Sequence, residues 1–383
     1  MRILVYCQHV LGIGHLVRTF EILKALKGHQ ITLLIGGAEI NLAPPEHVTT
    51  VQLPPLMMDA TFSTLSPPTG EPLEKIKKQR QKIIGNCLRE VQPDILLIEL
   101  YPFGRNGFHF EIAPLLEQAK QELPSCLIAS SVRDILVERD NRVKFERRAV
   151  ERLNHFFDLL LIHSDPAVIR LNETFSRMAD LKIQTVYTGY VHRPPKQEKS
   201  VQKTTPALPL IVASAGGGSV GYALLEATLK AHTLLASQSP SILNLYTGPY
   251  LEQEKQQRLI KLAGDHARIA TFCDDLPAAL RQAALSVSMG GYNTTMDVVA
   301  AGCPALIYPF NQNHEQRLRA ERLQHYVPIT LLEAKDLLPP VLAHHMHEAL
   351  HVPSSPSKQP AMDGANQTAQ TLLAMAKGKK ETL

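Results

Sequence analysis

The sequence predicts an α/β protein made of two doubly wound, Rossmann-like domains facing each other across a cleft. Three observations predict it. Apolar runs of strand length alternate with helical patterns; a polar, proline-bearing stretch interrupts the alternation once, after which it restarts; and 383 residues suffice for two domains. With 44% hydrophobic and 20% charged residues, the chain has ample material for packed interiors, which excludes a disordered protein.

The run RILVY opens the first array, followed by a helical pattern over 16–28 in which Leu16, Phe20, Leu23 and Leu26 share a face. Gly28 is placed for a left-handed cap, and ITLLI then completes a βαβ unit. A polar, proline-rich stretch follows, and its loop 52–75 carries Met57, Met58 and Phe62, candidates for an apolar acceptor site or simply a covered loop. DILLIEL, SCLIASS and FDLLLIH are apolar throughout rather than alternating, as in a parallel sheet covered on both faces. Over 75–91, Ile76, Ile83, Ile84, Leu88 and Val91 line one helical face, while Lys75, Lys77, Lys78, Arg80 and Lys82 fall on the other and read as a solvated surface. Residues 192–207 combine prolines with charge and offer almost nothing to bury, so they mark the boundary. The expected domains are 1–193, a linker 194–207, and 208–383. In the second array LPLIVASA, SILNLYTG, ARIATF, LSVSM and PALIYPF alternate with helical 220–237, 251–263 and 293–301, and a last helical pattern covers 364–376.

Forty Lys and Arg against 36 Asp and Glu leave a net charge of +4, which is no nucleic-acid footprint and suits a phosphate-bearing small molecule better. The five cysteines, Cys7, Cys87, Cys126, Cys273 and Cys303, include no CxxC pair, so neither a disulfide framework nor a zinc ribbon is expected and a reducing cytoplasm is the expected location. The opening MRILVYCQHV lacks a signal-peptide layout, and no run reaches the roughly 18–20 apolar residues of a spanning helix. The expectation is a soluble protein, with peripheral membrane contact left open.

Two glycine sites carry the chemistry. Gly216, Gly217, Gly218 and Ser219 follow a strand and open a helix, where backbone N–H groups approach a phosphate. The segment fits GxGxxG, but the next strand ends Leu245-Tyr246-Thr247-Gly248 with no carboxylate for a ribose, so a nicotinamide dinucleotide is not expected; a purely structural tight turn is the alternative. The second site reads Met289-Gly290-Gly291-Tyr292-Asn293-Thr294-Thr295-Met296-Asp297. Its small residues let the backbone approach an anion, Asn293 and Thr294 add donors at a helix start, and Asp297 lies one turn further in, where it could accept two ribose hydroxyls.

The order glycine, aromatic, Asn, hydroxyl residue, acid, small-Gly-x-Pro, Pro-Phe and acid-Gln over 210–325 resembles the nucleotide-sugar glycosyltransferases of the GT-B fold, in particular the UDP-glycosyltransferases and family 28. The resemblance implies a nucleoside-diphosphate sugar donor, most simply UDP-linked, and an acceptor hydroxyl that the sequence does not identify. It implies ribose binding by Asp297, diphosphate contacts by Asn293 and Thr294, and sugar contacts by Glu315 and Gln316. Phe272 and Cys273 match the stretch that reads the nucleobase, and Gly216 to Ser219 match the glycine loop of the same half. Met289, with Gly290 and Gly291, stands where many relatives place a His or Arg for the β-phosphate. In the first half, Gly12-Ile13-Gly14 delivers His15 to a helix start; the resemblance makes His15 the base for the acceptor hydroxyl, with a pKa near neutrality, and Glu99 its carboxylate partner. A structural histidine in a glycine turn is the bland alternative. Arg18, Arg133 and Asp134 lie close to the same strand ends and read equally well as salt bridges.

His347-Glu348-Ala349-Leu350-His351 matches HExxH, with His344 one turn earlier, but Pro353 follows at once and little chain remains for a third ligand; a polar helix surface is the expected reading. No metal and no cofactor are expected, and no DxD triplet occurs. Two rivals to sugar transfer remain: a nucleotide-sugar hydrolase or epimerase of the same fold, and an inactive nucleotide-binding relative.

Overall fold

A computed structural model of the chain describes all residues except 10–13, 38–41, 59–63, 69, 139, 197–207, 219, 311–313, 353–357 and 382–383. The chain forms two compact units, Met1–Val191 with Asp363–Leu383, and His192–Met362.

The first unit is built on a seven-stranded parallel sheet. Its strands are β1 (Arg2–Gln8), β2 (Gln30–Gly36), β3 (Val48–Gln52), and, after the short antiparallel pair β4 (Met57–Met58) and β5 (Leu65–Ser66), β6 (Ile95–Glu99), β7 (Leu127–Arg133), β8 (Leu159–His163) and β9 (Gln184–Tyr187). They lie in the order β3-β2-β1-β6-β7-β8-β9. The order therefore reverses at β1, and the loops beyond the carboxyl ends of β1 and β6 flank the switch point where ligands of such sheets bind. The helices are α1 (Gly14–Ala25), α2 (Leu73–Val91), α3 (His109–Glu122) and α4 (Arg142–Phe156). Successive strand residues point to opposite faces: Ile3, Val5 and Cys7 pack with Leu16, Phe20 and Leu23 of α1, while Leu4 and Tyr6 pack with α2, α3 and α4. Both faces are covered, which is why these strands read as unbroken apolar runs.

The solvated face expected for α2 is corrected at Arg80, which is fully buried. Glu111 of α3 is the reason: Arg80 Nε and Nη2 donate to its two carboxylate oxygens at 2.7 and 2.6 Å, Nη2 also to Gln8 at 2.8 Å, and Nη1 to the Pro54 carbonyl at 2.7 Å. A guanidinium leaves water only when its donors are matched in this way.

The second unit holds six parallel strands, β10 (Leu210–Ser214), β11 (Ile242–Tyr246), β12 (Ala267–Ala270), β13 (Leu285–Ser288), β14 (Ala305–Ile307) and β15 (Ile329–Leu331), in the order β12-β11-β10-β13-β14-β15. The helices are α5 (Tyr222–Leu235), α6 (Gln253–Ala263), α7 (Leu276–Gln282), α8 (Tyr292–Ala301), α9 (His314–Leu323) and α10 (Pro339–Leu350). Leu224, Leu225 and Leu229 of α5 and Leu342 and Met346 of α10 close one face over Ile211, Leu243 and Val287.

The last helix, α11 (Gly364–Glu381), corrects the expectation that 208–383 is one domain. Its Ala369, Leu372 and Ala376 join the core around α1, Lys379 bonds Asp158, and Lys380 bonds Asp94, so it belongs to the first unit. The expected linker is corrected at its start: 192–196 is part of the second unit, where Lys196 N donates to Asp275 at 2.9 Å.

Candidate active site

In the first unit the site grows from the ends of β1, β6, β7 and β8. Gly12 and Ile13 lie outside the described residues, but α1 begins at Gly14 and places His15 in its first turn. Glu99 is the last residue of β6, and His15 Nδ1 lies 2.6 Å from its Oε1. Arg18, one turn along α1, donates through Nη2 to the same oxygen at 2.6 Å, and Arg105 Nη2 stands 3.8 Å from Glu99 Oε2. The salt-bridge reading of Arg18 thus describes its geometry.

Burial alone would raise the Glu99 carboxyl, but His15, Arg18 and Arg105 outweigh it and hold the group down at about 2. The imidazole moves too. Burial lowers His15 to about 4, with Glu99 opposing and Arg105 and Arg18 adding to the fall, so the expectation of a pKa near neutrality is corrected. At neutral pH His15 is an uncharged imidazole whose Nδ1 meets Glu99 and whose Nε2 is left for a ligand.

His163 carries no motif that marks it in the sequence. It ends β8, fully buried, with Nε2 2.6 Å from Ser131 Oγ and Nδ1 2.9 Å from Thr188 Oγ1, and burial pushes it down to about 3. Ser131 pairs in register with Glu99, so this network adjoins the carboxylate. The only sequence signal was a polar residue closing the apolar run FDLLLIH.

In the second unit Gly216 and Gly218 adopt left-handed φ of 65° and 88°. A Cβ on Gly218 would stand 2.4 Å from the Thr247 carbonyl, and one on Gly248 would stand 2.4 Å from the Gly216 carbonyl. The turns after β10 and β11 therefore pack backbone on backbone, which only glycine permits. Gly216 and Gly217 have no backbone atom pressed against their Cβ positions, and Ser219 lies outside the described residues.

At the end of β13, Gly290 takes φ 72°, where a Cβ would also stand 2.7 Å from Ile307 Cγ2, and Gly291 forms the N-cap of α8. Asn293 and Thr294 stand there half-buried, and the buried hydroxyls of Ser288 and Thr295 find no hydrogen-bond partner among the described residues. Gln316 lies beside Gly290 and accepts from Phe310 N at 2.9 Å; Glu315 is buried next to it. Phe272 is 53% exposed beyond β12, and Cys273 contacts Tyr246.

Met289 packs against Gly221, where a Cβ would stand 3.0 Å from its Cγ. Asp297 is buried and its carboxylate is already engaged, because Arg193 donates to it through N at 3.3 Å, through Nε at 3.0 Å and through Nη2. Burial pushes this carboxyl up while Arg193 pulls it down. No sequence signal singled out Arg193, which sits in a proline-rich stretch. In α10, His347 bonds Ser239, His344 pairs with Glu348, and no group of three metal-ligating residues occurs among the described residues. No helix among them is long and apolar enough to cross a membrane.

Comparison with known proteins fits this arrangement. Residues 213–376 match the glycosyltransferase family 28 C-terminal domain. Over 185 residues the chain is 26% identical to the UDP-N-acetylglucosamine--N-acetylmuramyl-(pentapeptide) pyrophosphoryl-undecaprenol N-acetylglucosamine transferase of Brucella canis, covering 46% of this chain and 48% of that one. The Brucella suis protein of the same name is 27% identical over 186 residues, with the same coverage. The chain thus spans about half the length of the curated relatives it matches. Among solved structures, MurG of Acinetobacter baumannii superposes with a TM-score of 0.56 at 15% identity, covering 100% of both chains. The calicheamicin glycosyltransferase CalG4 gives 0.58 at 14%, covering 100% of this chain and 97% of that one. The chain thus has the GT-B fold of these glycosyltransferases, and its residues 213–376 match the glycosyltransferase family 28 C-terminal domain.

Proposed function

We propose that the protein is a glycosyltransferase that moves a sugar from a nucleoside-diphosphate sugar, UDP-linked in the simplest case, to an acceptor hydroxyl, with inversion and without a metal. The observation that carries this reading is the family 28 match over 213–376, which contains both glycine turns, Asp297 and the Glu315-Gln316 pair. The His15–Glu99 contact at 2.6 Å supplies the chemistry. In the proposed step the acceptor oxygen attacks the anomeric carbon as its proton passes to His15 Nε2, and the bond from that carbon to the diphosphate oxygen breaks. Inversion follows from this single displacement. The charge left on the nucleoside diphosphate is met by the amides of the two glycine turns and by the positive end of the α8 dipole.

Asp297 binds the ribose in this reading, so Arg193 gives up some of its bonds when the donor enters. A cytoplasmic location, with peripheral contact to a membrane where the acceptor is lipid-borne, belongs to the same proposal. A thermal-shift screen with UDP, GDP, TDP and their sugars tests it. Selective stabilisation by one nucleotide family, abolished in Asp297→Ala, is the expected result. No shift with any of them, or release of free sugar as fast as transfer to the best acceptor, would overturn it.

A further inference from the structure

The loop after β6 is bent back on itself by two residues that seldom adopt such backbone angles. Leu100 and Arg105 have φ of 65° and 61°, the left-handed region that non-glycine residues avoid. The loop is held at both ends: Leu100 N donates to the Ser131 carbonyl at 2.8 Å and Gly104 N to the Leu100 carbonyl at 2.9 Å. Gly104 packs closely there, a Cβ standing 2.6 Å from the end of the Leu100 side chain. The result is that the chain leaves the sheet at Glu99 and returns the Arg105 side chain to the same carboxylate.

Arg105 gains little hydrogen bonding from that return. Its side chain is 9% exposed, its Nε is buried without a hydrogen-bond partner among the described residues, and its Nη2 stops 3.8 Å from Glu99 Oε2, which also has no hydrogen-bond partner among them. A buried guanidinium held short of hydrogen-bond distance acts through its charge. Glu99 therefore serves three cationic or proton-carrying groups, with Oε1 divided between His15 Nδ1 and Arg18 Nη2, each at 2.6 Å, and Oε2 facing Arg105. Tyr6 and Cys7 of β1 and His163 of β8 are further titratable groups linked by charge to this cluster, Tyr6 to Arg105, Cys7 to Glu99, Arg105 and Arg18, and His163 to Arg18 and Glu99.

We propose that Arg105 is a positioning residue of this site: returned to Glu99 by the strained 100–105 loop, it shares the carboxylate with Arg18 and so limits how strongly Glu99 can support a proton on His15. A lone carboxylate beside a histidine favours the imidazolium; one already balanced by two guanidiniums favours it much less. Arg105 thereby keeps His15 uncharged and ready to accept a proton well below neutral pH. The inference takes its functional meaning from the proposed base role of His15, but the electrostatic claim stands without it.

The test is NMR titration of the full chain with 13C-labelled histidine, the His15 signal being assigned by its loss in His15→Gln. In Arg105→Gln the His15 midpoint should rise by about half a pH unit or more, and in Arg105→Lys, which keeps the charge, it should stay near the wild-type value. Should the Gln variant not fold, Arg105→Ala removes the same charge without a buried amide and carries the same expectation. An unchanged midpoint without the charge, or an equal rise in the Lys variant, would overturn the proposal. Where sugar transfer is measurable, the acid limb of kcat/KM should move upward with the NMR midpoint. A chain that shows the NMR shift but no transfer to any acceptor would defeat the proposed function and leave the electrostatic role standing.

Discussion

Replacing Arg80 by Met leaves the volume of the side-chain stem in place while removing the charge and four hydrogen bonds, at 2.6 to 2.8 Å, that Arg80 makes to Glu111, Gln8 and Pro54. Glu111 is then a fully buried carboxylate with one remaining donor, the Tyr6 hydroxyl at 2.5 Å. Breaking a buried pair in this way costs about 3–5 kcal/mol, because the stranded charge loses its partner without regaining water. For a unit of roughly 200 residues that is a fall of about 6–20 °C in Tm. Removing both charges is a different perturbation: Arg80→Met with Glu111→Leu eliminates the stranded carboxylate, and such double replacements are often neutral or better. Most of the loss should therefore return, reduced by the unpaired Tyr6 hydroxyl. Differential scanning calorimetry reads both variants, with the transition that moves assigned to the first unit. A single variant within about 1 kcal/mol of wild type, or a double variant no more stable than the single, would refute the reasoning.

Acidification tests the buried histidines. Folded His15 and His163 titrate at about 4 and about 3, below the ordinary 6.5, so under pH 6.5 the unfolded chain binds protons that the folded chain refuses and stability falls as pH falls. Each contributes about 2 kcal/mol of loss by pH 5, and urea unfolding at pH 7 and pH 5 should show a fall that His163→Asn reduces by about that amount. Gly218→Ala sets a Cβ 2.4 Å from the Thr247 carbonyl at φ 88°, whereas Gly216→Ala meets open space at φ 65°. The first should unfold the second unit at a clearly lower temperature than the second, which costs only about 1 kcal/mol of backbone strain. Arg193→Ala strands the buried Asp297 carboxylate and should destabilise that unit by about 1–3 kcal/mol, with the Arg193 side chain 30% exposed placing the loss below that of a fully buried pair. Equal denaturation midpoints for wild type and Arg193→Ala would contradict the geometry.

The sequence by itself determined the two parallel sheets, because side chains buried on both faces of a strand leave an unbroken apolar run that needs no partner to be recognised. It determined the glycine turns after β10 and β13, and it placed His15 at a helix start after a glycine turn and Glu99 at a strand end, both local properties of the pattern, whereas their meeting across the β1–β6 switch point is a matter of strand order in the sheet. Its helix 75–91 had the right apolar face, yet hydropathy alone could not tell Arg80 from the lysines around it. Only the tertiary structure supplied Glu111 from 31 residues away. The same holds for α11, whose apolar face is legible but whose sheet is not, and for Arg193, which pairs with Asp297 across 104 residues. The protonation of His15 was decided at this level as well, because its pKa depends on burial and on Arg18 and Arg105 as much as on Glu99. Burial and charge pairing between distant segments are sums over neighbours in space, and the sequence specifies those neighbours only through the fold.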